Sequence, residues 1–185
     1  KGANVNATNR DGYPPLHAAA QAEDKEKVEL LIDKGANANA EDKDGITPLH
    51  YAAEKENESL VKCLIEKGAR ISNIQLAACT EDLAKVKEFL ELNIDVNAKD
   101  KGGSTALYWA ARTKRDEVAE FLIGKGADVN LKGCDGLGPL HYACKHGRKK
   151  IVELLLAKDA DIEAKEENRG GLTPLHEAAR EGHKE

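Results

Sequence analysis

Apolar residues along this chain recur in short helical stripes that are separated by polar turns. Two of these stripes follow an i, i+3, i+4 spacing: Val28, Leu31 and Ile32 in one copy, and Val152, Leu155 and Leu156 in another. Such a spacing places apolar side chains on one face of a helix. Alanine pairs or triplets such as Ala52–Ala53 precede the stripes. The pattern therefore predicts pairs of short helices, the first rich in alanine and the second amphipathic.

The helix pairs recur with a constant period. Asp11–Gly12 and Asp44–Gly45 lie 33 residues apart, and so do Thr105 and Gly138. A period in this range is typical of a solenoid, in which each unit buries its apolar face against its neighbours. One motif recurs at the start of the alanine-rich helix: Pro15-Leu16-His17, Thr47-Pro48-Leu49-His50, Pro139-Leu140-His141 and Thr173-Pro174-Leu175-His176.

Residues at the expected helix ends support the same division. In Thr47-Pro48, the threonine hydroxyl can cap backbone N–H groups, and proline is tolerated in the first helical turn. The amphipathic helices end at residues that tolerate a positive φ. These are Gly35, Gly68, Asn93, Gly126 and Asp159. Pairs such as Asp44-Gly45 then predict tight turns.

Taken together, these features resemble the ankyrin repeat family. Its unit is a β-turn finger, an inner helix that opens with Thr-Pro-Leu-His, and an outer helix that ends in Gly-Ala-Asp-Val-Asn-Ala, which Gly126–Asn130 and Gly2–Ala7 match. The resemblance covers essentially all 185 residues. It implies an all-α solenoid, a curved stack of helix-turn-helix units. We expect a single domain with partial repeats at its ends and five repeats between them: 1–7, about 8–40, 41–71, 72–98, 99–131, 132–164, and 165–185.

The third repeat departs from this pattern. Its inner helix is expected to begin at Ser72, only 25 residues after Thr47, so eight residues that would form the finger are missing. Ser72 with Gln75 three residues later fits a capping box. We expect a gap in the row of fingers that divides the binding surface and alters the packing on either side. The alternative is that the natural protein has a finger that this chain lacks.

Composition restricts the classes of protein. The chain is 41% hydrophobic but only 4% aromatic, which suits thin helical layers. It has no apolar run long enough to cross a membrane and no signal-like segment, and its four cysteines show no paired spacing, which favours a reducing compartment. We expect a monomeric, cytoplasmic protein, with a secreted effector as an alternative. Both ends fall within a repeat, so we expect a piece of a longer array.

No signature of catalysis stands out. The chain contains no P-loop, dinucleotide fingerprint, nucleophile elbow or H-E-x-x-H sequence. Four of the six histidines occupy the recurring motif, where the resemblance implies that the imidazole bonds to neighbouring backbone. His141, Cys144 and His146 suggest zinc, but Cys144 should point between helices. We therefore predict no enzyme activity, no metal and no cofactor.

The residue after each Leu-His pair differs between repeats. This position, which we call the aromatic position, holds Ala18, Tyr51, Leu76, Trp109, Tyr142 and Glu177 in turn. One interpretation is packing between adjacent inner helices. The other is a binding hot spot made by Tyr51, Leu76, Trp109 and Tyr142, because tyrosine and tryptophan are frequent interface anchors. The hot spot is the leading hypothesis.

The turn between the two helices of a repeat changes its charge along the chain. The first three turns are net acidic, whereas residues 112–117 carry three basic and two acidic groups, and residues 145–150 carry four basic groups. We predict that these basic residues steer an acidic peptide segment. They are Arg112, Lys114, Arg115, Lys145, Arg148, Lys149 and Lys150. Nucleic acid is a weaker alternative, since the net charge is −5 and no nucleic-acid motif is present.

The resemblance implies a protein–protein interaction scaffold that binds a partner protein or peptide on its concave inner-helix and finger surface. An alternative is a spacer or targeting array of a larger enzyme, toxin, channel or secreted effector. A third is a structural solenoid with no discrete partner. Fold alone does not choose among them.

Overall fold

The computed structural model describes residues 3–10, 12–167 and 170–183. Within these ranges the chain forms eleven short helices, and every regular element is helical. Outside the described residues lie parts of both terminal partial repeats, Asp11 of the first finger, and residues 168–169 of the last finger.

Short inner helices alternate along the chain with slightly longer outer helices. The inner helices are α1 (Pro15–Gln21), α3 (Pro48–Glu54), α5 (Ile74–Cys79), α7 (Ala106–Arg112), α9 (Pro139–Lys145) and α11 (Pro174–Arg180). The outer helices are α2 (Lys25–Asp33), α4 (Glu58–Glu66), α6 (Leu83–Glu91), α8 (Asp116–Gly124) and α10 (Lys149–Leu156). The predicted two helices per repeat are confirmed.

Contacts between residues group the chain into two compact units, residues 1–72 and 73–185. The first unit holds α1 to α4, with α1 packed on α3 and each of them on its own outer helix. In the second unit, α5, α7, α9 and α11 pack in succession. The boundary falls where the connection between repeats is short: residues 67–73 join α4 to α5, whereas residues 34–47 join α2 to α3.

The interior of each unit has two parts. Small side chains pack between the inner helices, and aliphatic side chains pack beneath the outer helices. Ala20, Ala52, Ala77 and Ala110 are completely buried. Each outer helix contributes at least one buried branched residue, at the same place in the repeat: Val28, Leu60, Val86, Val118 and Ile151. Full burial of such a side chain contributes about 1.5–3 kcal/mol, so stability comes from many thin contacts rather than from one thick core.

The left-handed residues that end the outer helices are confirmed. Gly35, Gly68, Asn93, Gly126 and Asp159 have φ values between 61° and 98°. A second left-handed row lies at the turns between inner and outer helices, and it is mostly not glycine: Glu23, Glu56, Glu81, Lys114 and Gly147. Because a side chain in this conformation costs about 1 kcal/mol, helix packing on both sides must impose these turns.

The predicted capping by threonine is corrected in two repeats. Among the described residues, the hydroxyls of Thr47 and Thr173 accept no backbone N–H of their helix. Thr47 Oγ1 instead lies 2.9 Å from Nδ1 of His50, which also accepts the Thr47 N–H at 3.1 Å. The hydroxyl of Thr105 does cap its helix, at 3.2 Å from the N–H of Tyr108, which replaces the histidine. In both of these repeats the histidine accepts the N–H of the residue that precedes the helix.

The predicted capping box at the start of α5 is wrong. Asn73 caps this helix, with its Oδ1 accepting the Leu76 N–H at 2.7 Å. Gln75 Nε2 donates instead to the Ala98 carbonyl in the following finger at 2.6 Å. Gln75 stands where other repeats have histidine, so an amide here ties the inner helix to the next finger.

Candidate functional site

The side chains predicted to form the hot spot lie mostly in the interior. Leu76 and Trp109 are 1% exposed, and Tyr142 is 5% exposed. Tyr51, in the first unit, is half-buried. Side chains with so little accessible surface cannot anchor a partner in this conformation. This corrects the expectation of an exposed aromatic stripe and favours the packing interpretation for these three residues.

Each ring at the aromatic position is tied to an aspartate in the finger of its own repeat. The pairs are Tyr51 O–H with Asp42 Oδ2 at 3.3 Å, Trp109 Nε1–H with Asp100 Oδ2 at 2.7 Å, and Tyr142 O–H with Asp135. Burial raises the pKa of the Tyr51 and Tyr142 hydroxyls, so both remain donors at physiological pH. The aromatic position therefore fixes the finger to the inner helix.

In the second unit, three rings surround a cation. The guanidinium carbon of Arg112 lies 5.1 Å from the ring centroid of Trp109 and 5.9 Å from those of Tyr108 and Tyr142. Arg112 also donates to the Tyr108 hydroxyl at 2.8 Å. Tyr108 meets Trp109 and Tyr142 edge to face. Since a partly desolvated cation–π contact contributes about 0.5–2 kcal/mol, the rings position Arg112.

Two of the predicted basic residues are engaged between neighbouring repeats. Arg115, 9% exposed, donates to the Cys79 carbonyl at 3.2 Å and pairs with Glu81 at 3.1 Å. Arg148 binds both carboxylate oxygens of Asp116, with Nε at 3.0 Å from Oδ1. Both arginines are the N-cap residues of their outer helices. The equivalent residues in other repeats cap with a side-chain oxygen: Asp24, Asn57 and Asp82.

The other basic residues lie nearer the surface of the second unit. Lys149 is exposed, whereas Lys114 and Lys145 are half-buried. Lys145 Nζ lies 5.6 Å from the ring centroid of Tyr142. The side chain of Lys150 is 69% exposed and pairs with Glu120 at 2.5 Å. Interleaved carboxylates thus make this edge less positive than the count of basic residues implies.

The motif histidines hold backbone groups together. In α9, His141 Nδ1 accepts the Gly138 N–H at 3.2 Å, which leaves the proton on Nε2, 3.2 Å from the Leu172 carbonyl. Burial lowers the pKa of His141 and favours this neutral form. His146 Nε2 lies 3.1 Å from the Arg112 carbonyl. Across the described ranges, no three His, Cys, Asp or Glu side chains are grouped to hold a metal ion.

His17 differs from the other motif histidines. Its Nε2 lies 2.9 Å from the Ile46 carbonyl, but its buried Nδ1 has no hydrogen-bond partner among the described residues. The residue that precedes the helix is Pro14, which has no N–H to donate. The first inner helix therefore lacks the bond that Thr47 and Gly138 make in other repeats.

Sequence reasoning missed the role of Tyr108. Tyr108 occupies the histidine position of the fourth repeat, is completely buried, and lies at the centre of the aromatic cluster. Two signals in the chain point to it: the motif loses its histidine here, and Gly133 stands where Asp42 and Asp100 stand in other fingers.

Comparison with known proteins gives two matches. A family model described as ankyrin repeats matches three times, over residues 1–75, 72–133 and 131–185. The chain is also 41% identical over 58 residues to Palmitoyltransferase akr1 of Schizosaccharomyces pombe. That alignment covers 31% of this chain and 9% of the relative, so the chain spans a small part of the relative's length. No helix within the described residues is both long and apolar enough to cross a membrane.

Proposed function

The chain belongs to the ankyrin repeat family, and from this premise we propose that it binds a partner protein or peptide on the surface formed by its inner helices and fingers, without catalysis. Ankyrin repeats are generally protein-interaction modules. The fold positions a surface and does not by itself name the partner.

The position of Arg112 is the observation that supports this proposal most directly. Three rings and a tyrosine hydroxyl fix the guanidinium, which is half-buried at the end of α7. Lys145, at the end of the next inner helix, lies against the ring of Tyr142. Cations whose side chains are already ordered lose less conformational entropy on binding than free ones do.

A segment rich in carboxylates is the partner that this arrangement favours. We assign its recognition to four basic residues at the ends of α7 and α9, in the turn after α7, and at the start of α10: Arg112, Lys145, Lys114 and Lys149. Arg115 and Arg148 serve mainly to join repeats, because each already pairs with a carboxylate of the preceding repeat. Opposite charge steers association as well as adding affinity.

The same proposal includes a cellular compartment, which is argued from the cysteines. All four cysteines are free, and burial raises the pKa of the Cys63, Cys79 and Cys144 thiols. Cysteines that form no disulfide suit a reducing compartment, so we assign the protein to the cytoplasm. That it acts there as a monomer is a separate part of the proposal.

Affinity capture from source-cell lysate tests the binding function. The wild-type chain is compared with Lys145→Glu/Lys149→Glu and with Lys34→Glu/Lys62→Glu, a control of equal charge change at exposed positions of the first unit. We expect one captured protein to be lost from the first variant and retained by the control. Identical captures from both variants contradict the basic edge as the site. Empty captures from every form contradict the binding function.

A second candidate function is a spacer or targeting array within a larger enzyme. The observation that favours it is the match to a palmitoyltransferase, which is confined to 58 residues and to 9% of that relative. If this function is correct, the activity lies outside these residues. An assay of the full natural protein with and without residues 1–185 separates the two: a lost partner supports the first function, and mislocalisation without a lost partner supports the second.

A further inference from the structure

The contact between neighbouring outer helices differs between the two units. In the first unit, Lys67 Nζ pairs with Asp33 Oδ1 at 2.7 Å and closes the gap between α4 and α2. The equivalent positions in the second unit are Lys125 and Glu91, and no ion pair joins them among the described residues. Both side chains line a groove of about 630 Å³ between α6 and α8. We call this cavity the outer groove.

An isoleucine that lines the outer groove replaces an alanine that recurs in the other repeats. The residue after the left-handed end of the outer helix is a buried alanine in the other repeats: Ala36, Ala69, Ala127 and Ala160. Ile94 takes this position in the second unit and is 43% exposed. The larger side chain does not fit where a methyl group packs, and Ile94 lines the groove instead.

The hydrogen bonds that asparagine side chains make between repeats also differ near the outer groove. Three asparagines donate Nδ2–H to a carbonyl of the following repeat: Asn6 to Gly35, Asn39 to Gly68, and Asn130 to Asp159. Asn97 accepts the Asp128 N–H at 2.8 Å, but within the described residues its Nδ2 makes no such bond. The connection at Asn97 therefore has one hydrogen bond fewer than its equivalents.

Both apolar and charged side chains line the groove. Phe121 is half-buried, with Lys87 Nζ 5.4 Å and Lys125 Nζ 5.5 Å from its ring centroid. Leu90, Ile94 and Val96 complete the apolar lining, and Glu91 is the acidic side chain in it. A cavity of this volume is within the usual range for ligand pockets and holds one or two large side chains.

We infer that the outer groove binds an acidic segment of a partner protein through one or two large apolar side chains flanked by carboxylates. The apolar side chains pack against Leu90, Ile94 and Val96, and the carboxylates pair with the two lysines that lie against the Phe121 ring. Glu91 disfavours a carboxylate at its own end of the groove, so the acidic flanks of the segment lie at the Lys87 and Lys125 side. This surface lies on the outer helices, apart from the inner-helix site proposed above, and does not depend on that proposal.

A pair of synthetic peptides tests this inference. The probe is a fluorescein-labelled peptide with a central Leu-Phe pair between two glutamates on each side, and its control has lysine in place of every glutamate. Binding to the wild-type chain is followed by fluorescence anisotropy in low salt. We expect the glutamate peptide to bind with a Kd of about 100 μM or better, and at least about tenfold more tightly than the lysine peptide.

Three variants locate the peptide. Lys87→Glu/Lys125→Glu should weaken the glutamate peptide at least about fivefold, whereas Lys34→Glu/Lys62→Glu, with the same charge change, should not. Ile94→Ala places the residue of the other repeats at this position and should also weaken binding, because it removes an apolar side chain from the groove lining. The inference is overturned if both peptides bind equally, if neither binds, or if the groove variants bind like the wild type. Because the acidic probe can also bind the inner-helix site, the groove variants are compared in the Lys145→Glu/Lys149→Glu background, which keeps this test separate from that of the inner-helix site.

Discussion

The ring of Tyr108 occupies the space that a side chain at position 133 would need, since a Cβ built on Gly133 would lie 2.2 Å from Cε2 of Tyr108. Position 133 corresponds to Asp42 and Asp100 in other fingers. With no carboxylate there, the Tyr142 hydroxyl bonds to Asp135, two residues further along the finger. The large ring of Tyr108, the absence of a side chain at Gly133 and the position of Asp135 therefore depend on one another.

Gly133→Ala should destabilise the second unit by about 1–3 kcal/mol, because the new methyl group overlaps a completely buried ring. Urea unfolding measures the loss. Gly124→Ala is the matched control, since a Cβ at this exposed helical glycine meets nothing within 4 Å. It should stabilise by up to about 1 kcal/mol. The double change Tyr108→His/Gly133→Asp restores the residues of the other repeats. It should recover most of the stability that Gly133→Ala loses. Equal effects of the two alanine variants would contradict this packing relationship.

Pro14→Thr should stabilise the first unit by about 1 kcal/mol. The new N–H can donate to the unpartnered Nδ1 of His17, as Thr47 does to His50, and the extended backbone at position 14 (φ −77°, ψ 162°) suits threonine. The loss of proline, which restricts the unfolded chain, offsets part of this gain. Thermal and urea unfolding measure the change. Pro14→Ala supplies the N–H without the hydroxyl and should give a smaller gain. A variant less stable than the wild type would show that His17 does not need this donor.

Stability should fall as the pH is lowered from 7.5 to 5.5. Burial lowers the pKa of His17 and His141 in the folded protein, so the unfolded chain, with histidine pKa values near 6.5, binds protons first. The stabilising contribution is therefore complete above about pH 6.5 and is lost as the pH falls through the lower folded pKa. Urea unfolding at several pH values measures the slope. His141→Gln should fold, because Gln75 performs the equivalent role in α5, and it should have a shallower slope. An unchanged slope would exclude His141 as a contributor.

Trp109→Ala should cost about 3–5 kcal/mol, because it empties the interior between inner helices and leaves Asp100 without its indole partner. Trp109→Phe keeps most of the volume and removes only the hydrogen bond, so it should cost about 1–2 kcal/mol. The fluorescence maximum of the single tryptophan gives an independent measurement. It should lie well to the blue of free indole in water, and a maximum at the value of free indole would contradict burial.

The sequence predicts well what depends on residues close together in the chain. The left-handed ends at Asn93 and Asp159 follow from local backbone preference and are confirmed. The environment of Trp109 depends instead on the next inner helix, and a single repeat cannot show whether its edge is covered. The partners of Arg115 and Arg148 lie 34 and 32 residues earlier. A charge count along one turn therefore overestimates how basic the surface is.

Arg148→Asn should change stability by less than about 1 kcal/mol, because it exchanges one stabilising interaction for another. The variant loses the ion pair with Asp116, which is partly exposed and so contributes little, and it gains the cap that Asn57 provides by accepting the Leu60 N–H at 3.0 Å. Arg148→Ala loses the ion pair and gains no cap, so it should be the less stable of the two variants by about 1 kcal/mol. Asn57→Ala in the first unit measures the cap alone. Urea unfolding of the three variants measures these differences. If Arg148→Asn is no more stable than Arg148→Ala, an amide at position 148 does not cap α10.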